Sequence, residues 1–234
     1  HFDHAGAAWK FAENGAKIYV HPIGLPHMNQ PEKLWNSAKR IYLDDMERLW
    51  GEMKPIDSDL LVAVDDGDTL NLGGIKINVI YTPGHAIHHN AYQIEDIVFT
   101  GDVAGVKINN GPVVPPCPPP DIHVEAWKAS IQKIRNLQPK KIYLAHYGVV
   151  DQVEQHFTDL ENILDDWSQW IKTQYDQQAT IDVITPKFIA YTQNQLKMAG
   201  VSEADIDRYE KGNPSFMSVT GLMRYWKLKE QGRL

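Results

Sequence analysis

The alternation of apolar and polar residues divides the chain into a mixed first part and a helical last part. Short β-branched or aromatic runs predict strands, at residues 16–21, 60–64, 75–81, 91–94, 97–100 and 141–145. Apolar residues at three- and four-residue spacing predict amphipathic helices, at residues 7–14, 32–53 and 124–137. From residue 151 onward the pattern is helical, over residues 153–175, 187–199 and 203–211. Together these elements predict an α/β fold with a helical C-terminal extension.

The order of these elements also suggests a domain organisation. We predict a mixed α/β domain at residues 1–150, and a helical extension at residues 151–234 that packs on the same domain, because no flexible linker separates them. The apolar face of the 32–53 helix is formed by Leu34, Trp35, Ala38, Ile41, Tyr42, Met46, Leu49, Trp50 and Met53. Such a stripe is more often core than binding surface, so Trp35, Trp50 and Met53 are weak pocket candidates.

Composition narrows the classes of function. The 234 residues include 23 Lys and Arg against 30 Asp and Glu, a formal charge of −7, which argues against a nucleic-acid partner. No apolar run approaches the roughly 18 residues of a membrane span, so no membrane partner is expected. A single cysteine, Cys117, excludes an internal disulfide and favours a reducing compartment, for which we expect the cytoplasm. We expect a small-molecule substrate and leave homo-oligomerisation open.

Residues with metal-binding chemistry follow the predicted strands or open the chain. They are His1-x-Asp3-His4, the Thr82-Pro83-Gly84-His85 turn, Gly101-Asp102 and His146. In layered α/β folds, loops at one sheet edge collect ligands and catalytic groups. Imidazole and carboxylate suit zinc, manganese or iron. Six such donors are too many for one tetrahedral ion with an open position, but they suit two ions roughly 3.5–4 Å apart.

The order and spacing of these motifs resemble those of the metallo-β-lactamase fold superfamily. Its hallmark is a His-x-His-x-Asp-His loop followed by a lone His, a bridging Asp and a final His. The segment His1-Phe2-Asp3-His4-Ala5-Gly6 resembles that loop with its first His and the next residue missing, so the chain looks truncated at its N-terminus. Glyoxalase II-like hydrolases are the most similar branch. The branch with a cysteine ligand is a poor match, because Asp102 stands at that position.

The resemblance implies an αββα sandwich of two mixed sheets, here without its N-terminal strands. It implies two divalent metal ions, zinc with manganese or iron as alternatives. His1 and His85 would bind the first ion, Asp3, His4 and His146 the second, and Asp102 would bridge them. Hydroxide generated there would attack an ester, thioester, lactone or related centre. Asp3 would take and return the proton, so Asp3 and Asp102 are the catalytic candidates.

Several alternatives stay open. A mononuclear iron persulfide dioxygenase shares the same motifs, and a non-catalytic fragment or binding module lacking its first metal ligand is a third hypothesis. His88 and His89 either contact the metal ligands or the substrate, or are partly exposed histidines without such a role. Tyr147 either contacts substrate or packs. The proline-rich loop at residues 111–120 is interpreted as a rim near the site, without a catalytic role for Cys117.

Overall fold

The computed structural model of the chain describes the backbone of residues 1–234 and every side chain except those of residues 40–42. The chain forms two compact units, His1–Asp68 and Thr69–Leu234, and each unit has its own sheet. The predicted domain boundary at residue 150 stays a prediction.

The first unit contains a two-stranded parallel sheet and short helices. The strands are β1 (Ile18–Val20) and β2 (Leu61–Ala63). The helices are α1 (Phe2–Ala5), α2 (Ala8–Ala12), α3 (Leu25–Asn29), α4 (Glu32–Tyr42) and α5 (Met46–Trp50). Its core is built from Trp9, Ala12, Met28, Ile56 and Leu61.

The prediction of one continuous helix over residues 32–53 is wrong, because the helix is interrupted. A 3₁₀ turn at Leu43–Asp45 separates α4 from α5. Leu43 has φ +48° and ψ −120°, a conformation that ends an α-helix. The predicted apolar face still forms a small core, in which the rings of Trp35 and Trp50 lie 5.8 and 5.9 Å from the ring of Phe2. Ile41 and Tyr42 lie outside the described side chains.

The second unit contains a six-stranded sheet of order β3-β4-β5-β6-β7-β8. The strands are β3 (Thr69–Leu72), β4 (Ile75–Tyr81), β5 (Asn90–Ile94), β6 (Ile97–Val106), β7 (Lys141–His146) and β8 (Gly148–Val150). Neighbouring strands pair antiparallel except β6 and β7, which are parallel. The alternation expected of strands is visible in β6 and β7, where Val98 and Ile142 are buried and Phe99 and Tyr143 are exposed.

Five helices accompany this sheet: α6 (Val124–Arg135), α7 (Val153–Asp176), α8 (Ile181–Met198), α9 (Glu203–Gly212) and α10 (Ser215–Glu230). Trp127 and Ile131 of α6 and Phe157 and Leu160 of α7 are fully buried in the core that contains Ile142. The predicted start of α8 at residue 187 is wrong, because the helix begins at Ile181 and tolerates Pro186. Among the described residues, no helix combines the length and apolar character needed to cross a bilayer.

A buried tyrosine joins α9 to the loop after β6. The Tyr209 hydroxyl accepts a hydrogen bond from the Ile108 amide at 3.0 Å and donates one to the Pro112 carbonyl at 2.6 Å. Only 3% of Tyr209 is exposed. Its hydroxyl therefore satisfies two backbone groups at once.

We predict that Tyr209→Phe lowers the free energy of unfolding by about 1–3 kcal/mol, because both backbone groups lose their partner in a buried place. Urea denaturation measures this change. Tyr143→Phe is the control, since Tyr143 is 37% exposed and its replacement is expected to change stability by less than about 0.5 kcal/mol. Equal effects of the two substitutions would contradict the prediction.

Candidate metal centre

Three strands of the second unit run in the same direction and bring three predicted ligands to one sheet edge. Two antiparallel pairings separate β4 from β6, and β7 is parallel to β6. His85 follows β4 after a three-residue turn, Asp102 lies in β6, and His146 ends β7. Residues far apart in sequence therefore meet because the carboxyl ends of these strands meet.

Asp102 lies within a strand, whereas the sequence predicted that the strand ends at residue 100. The strand β6 continues to Val106, with register shifts on both sides of Gly101. Gly101 has φ +56°, which marks a bulge that re-aims the residue after it. The prediction failed because a Gly-Asp pair signals a turn as readily as a bulge.

The carboxylate of Asp102 lies between two imidazoles. Its Oδ2 is 3.2 Å from His85 Nε2, and its Oδ1 is 3.5 Å from His146 Nε2. His85 and Asp102 are only 2% and 5% exposed. Two imidazole nitrogens beside one buried carboxylate are donors that suit divalent metal ions, so these residues fit the implied metal.

A backbone carbonyl fixes the orientation of the His85 ring. His85 Nδ1 lies 2.8 Å from the Pro116 carbonyl oxygen. Because a carbonyl only accepts, Nδ1 carries the proton and donates it, which leaves the lone pair of neutral His85 on Nε2. The ring also packs edge-on against Trp127, with centroids 5.4 Å apart. The proline-rich loop, predicted only as a rim, therefore supplies the hydrogen-bond partner of a candidate ligand.

The turn that carries His85 packs directly on the first turn of α6. Gly84 has φ +125°, and an added Cβ there would lie 2.2 Å from the Trp127 amide nitrogen. The His123 amide donates to the Gly84 carbonyl at 2.9 Å, and the Ser130 hydroxyl donates to the Pro83 carbonyl at 2.6 Å. Glycine is thus required at position 84 by both conformation and space.

His89 holds the backbone of Asp102. The Asp102 amide donates to His89 Nε2 at 3.1 Å, so the His89 proton lies on Nδ1 and is donated to Thr82 Oγ1 at 2.7 Å. An added Cβ at Gly101 would lie 2.5 Å from His89 Nε2. The Nε2 lone pair of His89 is occupied by this amide, which excludes that atom as a metal donor in this arrangement. Sequence reasoning left the role of His89 open, because no local pattern signals an imidazole that accepts from an amide 13 residues away.

The other two candidates of this part of the sequence are His88 and Tyr147. His88 is half-buried. Tyr147 is 57% exposed, and its ring stands edge-on to His146 with centroids 5.3 Å apart. Their proposed contacts with substrate stay predictions.

The N-terminal candidates lie in the first unit. His1 precedes α1, and Asp3 and His4 lie within it. His4 Nε2 is 3.4 Å from Asp3 Oδ2. The ligand roles of these three residues stay predictions. Two of the three weak pocket candidates, Trp35 and Met53, line a cavity of about 770 Å³ within this unit.

His21, His156 and Cys117, which lie outside the metal-binding motifs, are buried. Desolvation lowers the pKa of His156, whose Nε2–H donates to the Ala104 carbonyl at 2.8 Å. Desolvation also lowers the pKa of His21, although nearby Asp65 opposes this shift. Cys117 is fully buried, and burial raises the pKa of its thiol far above the ordinary value, which disfavours a nucleophilic thiolate.

Comparisons with known proteins agree on one family. The family model described as metallo-beta-lactamase superfamily matches residues 1–146. A metallo-beta-lactamase fold-containing protein of Sulfurisphaera tokodaii is 32% identical over 167 residues, 68% of this chain and 63% of its own length. The chain thus spans about three fifths of that relative.

Two further comparisons concern a solved structure and a named enzyme. A metallo-beta-lactamase family protein from Thermus thermophilus matches 97% of this chain and 71% of its own, with a TM-score of 0.65 and 19% identity. This likeness confirms the predicted fold class. An atrochrysone carboxyl ACP thioesterase of Cryptosporiopsis sp. is 23% identical over 131 residues, 53% of this chain and 38% of its own length.

We predict that Gly84→Ala lowers the free energy of unfolding by about 3 kcal/mol or more, because backbone strain adds to overlap with α6. Chemical denaturation measures the change. Gly74→Ala is the matched control, since Gly74 also has a positive φ of +87° but nothing lies within 4 Å of an added Cβ. The control is expected to cost only about 1–2 kcal/mol. A cost no larger than that of the control would show that the contact with α6 is not tight.

Proposed function

The chain belongs to the metallo-beta-lactamase superfamily, and we propose that it is a metal-dependent hydrolase acting on a small ester, thioester or lactone. The observation that carries this proposal is the buried Asp102 carboxylate, which presents one oxygen to His85 Nε2 and the other to His146 Nε2. Two nitrogen donors around a shared carboxylate favour a metal centre over a plain ion-pair network.

The full ligand set is proposed from the sequence motifs. His1 and His85 would bind one ion, Asp3, His4 and His146 the other, and Asp102 both. Imidazole and carboxylate donors without thiolate favour zinc, with manganese and iron as alternatives.

Divalent cations held by these residues would supply hydroxide near neutral pH, because such an ion can lower the pKa of bound water from ~15.7 to about 7. The residues of the chain prepare the place where this occurs. The Pro116 carbonyl accepts from His85 Nδ1–H, so Nε2 is the ring nitrogen left to donate its lone pair to a metal ion. The burial of Asp102 strengthens its attraction for cations, because little water screens it. Asp3 is proposed as the group that accepts and returns the proton of the attacking water.

The substrate class is inferred from charge and from one relative. The formal charge of −7 disfavours nucleic-acid substrates, which need basic phosphate-binding surface. The relative named as a carboxyl ACP thioesterase supports a thioester or ester among the substrates. Tyr147, exposed beside His146, is proposed to contact that substrate.

We predict that the purified protein contains about two divalent ions per chain by elemental mass spectrometry. Removal by a chelator should abolish hydrolysis and lower the thermal midpoint, because a ligand that binds only the folded state stabilises it by about 2.7 kcal/mol at a concentration of 100 times its Kd. Added zinc should restore both properties. Unchanged activity after complete metal removal would overturn the proposal.

We predict that Asp102→Asn lowers kcat/KM for a p-nitrophenyl ester or an acyl thioester by at least about a hundredfold. The reason is that substitution of a residue that only hydrogen-bonds a metal ligand already lowers metal affinity or activity about 10–100-fold, and Asp102 is proposed as a direct ligand. Asp96→Asn is the control, since Asp96 precedes the same strand but pairs with Lys140 at 2.5 Å. The control should retain activity, and a near-normal rate of Asp102→Asn would exclude a bridging role.

A further inference from the structure

The carbonyl that orients His85 belongs to an unusual stretch of backbone. Residues 115–120 are Pro-Pro-Cys-Pro-Pro-Pro, so Cys117 is the only one with a backbone N–H. Such a segment cannot be held by a ladder of backbone hydrogen bonds in a sheet. Its position must come from packing and from side chains that bond its carbonyls and its single amide.

Two buried side chains hold this stretch on both sides of Pro116, one from Asn213, which follows α9, and one from Ser218 of α10. Asn213 Nδ2 donates to the Pro115 carbonyl at 3.2 Å. The Cys117 amide donates to Ser218 Oγ at 3.4 Å. Asn213 is 8% exposed and Ser218 is fully buried, and the Ser218 hydroxyl points to Asn213 Oδ1 at 3.5 Å. The two side chains therefore form one connected group.

Helix α10 also contacts the stretch with its backbone. An added Cβ at Gly221 would lie 2.0 Å from the Cys117 carbonyl oxygen. The loop thus lies directly on the helix surface at this residue, which only glycine permits. One end of the proline stretch is bonded as well, since Arg224 Nε donates to the Pro120 carbonyl at 3.0 Å.

We propose that Asn213 and Ser218 are positioning residues of the metal centre, which act on His85 through the Pro116 carbonyl. This inference rests on the proposed function. The residues bonded by Asn213 and Ser218 are the immediate neighbours of Pro116, so the peptide that accepts from His85 Nδ1 is restrained from both sides. Loosening either restraint lets the carbonyl move, and the imidazole then spends less time with Nε2 aimed at Asp102.

The test compares Ser218→Ala, Asn213→Asp and the control Thr220→Ala with the unmodified protein. Ser218→Ala removes the hydroxyl that accepts from Cys117. Asn213→Asp keeps the acceptor near Ser218 but replaces the amide that donates to Pro115. Thr220 lies on the same helix, and its hydroxyl donates to the Phe216 carbonyl within that helix.

Two measurements separate positioning from general destabilisation. The first is the dissociation constant for Zn²⁺ by competition with a chromophoric chelator. The second is the hydrogen-exchange rate of His85 Nδ1–H by NMR of ¹⁵N-histidine protein, with the thermal midpoint recorded for each variant. We expect Zn²⁺ affinity to fall about three- to tenfold in both site variants, less than for a direct partner of the ligand. We expect Nδ1–H exchange to accelerate at least about tenfold, and the control to stay within about twofold.

The inference would be overturned if Ser218→Ala had the same His85 Nδ1–H exchange rate and the same Zn²⁺ affinity as the unmodified protein. This holds even if Asn213→Asp fails to fold. Equal changes in Thr220→Ala would also overturn it, because they would show a general loss of stability. If the unmodified protein binds no Zn²⁺, the proposed function fails. The exchange rate of His85 Nδ1–H then still decides whether Asn213 and Ser218 restrain its partner.

Discussion

The common direction of β4, β6 and β7 is the constraint on which the candidate metal centre of the second unit depends. Two antiparallel pairings between β4 and β6, followed by a parallel one to β7, bring three carboxyl ends to one edge. His85, Asp102 and His146 are close for this reason, although the numbers of His85 and His146 differ by 61. The face of the sheet that carries Val98 and Ile142 makes this edge rigid, because both residues are buried in one core with residues of α6 and α7. A register slip in any of these strands would move the side chains of a ligand strand to the other face.

Backbone groups, rather than charged side chains, make many of the contacts that set the geometry of the centre. The Pro116 carbonyl fixes the tautomer of His85, and the amide of Asp102 is bonded to His89. Gly84 and Gly101 are required because α6 and the His89 ring occupy the space of a side chain. Buried backbone groups must find partners, so a ligand turn bonded in this way is specified by the fold itself. Substitutions at these glycines are therefore expected to displace the turn and the bulge that carry the candidate donors.

The sequence predicts most of the strands well, because they have local signals. The Ile75–Tyr81 run alternates and ends in a Pro-Gly turn, and its predicted bounds match β4. The short strand β3 was not predicted, since its alternation is confined to two apolar residues, Leu70 and Leu72. The helix break at Leu43 was missed, because neither glycine nor proline marks it. The partner of His85 lies 31 residues away in a loop, and only the folded chain brings them together. Local patterns thus identify strands and candidate donors, whereas the contacts that orient those candidates arise from tertiary structure.

The proline stretch explains why helices from the end of the chain belong to the structure of this centre. A segment with one amide in six residues cannot join a sheet, but prolines already restrict its backbone, so little entropy is lost when it is fixed. A few side-chain hydrogen bonds, each contributing about 0.5–1.5 kcal/mol, are then sufficient to select one position. Asn213 and Ser218 provide such bonds, and Gly221 allows the close approach that makes them reachable. A stiff loop held by a few specific contacts keeps a carbonyl in place with less stabilising energy than a flexible loop would require. The C-terminal helices are therefore part of the support of His85, and their sequence is constrained by the chemistry at the sheet edge as well as by their own packing.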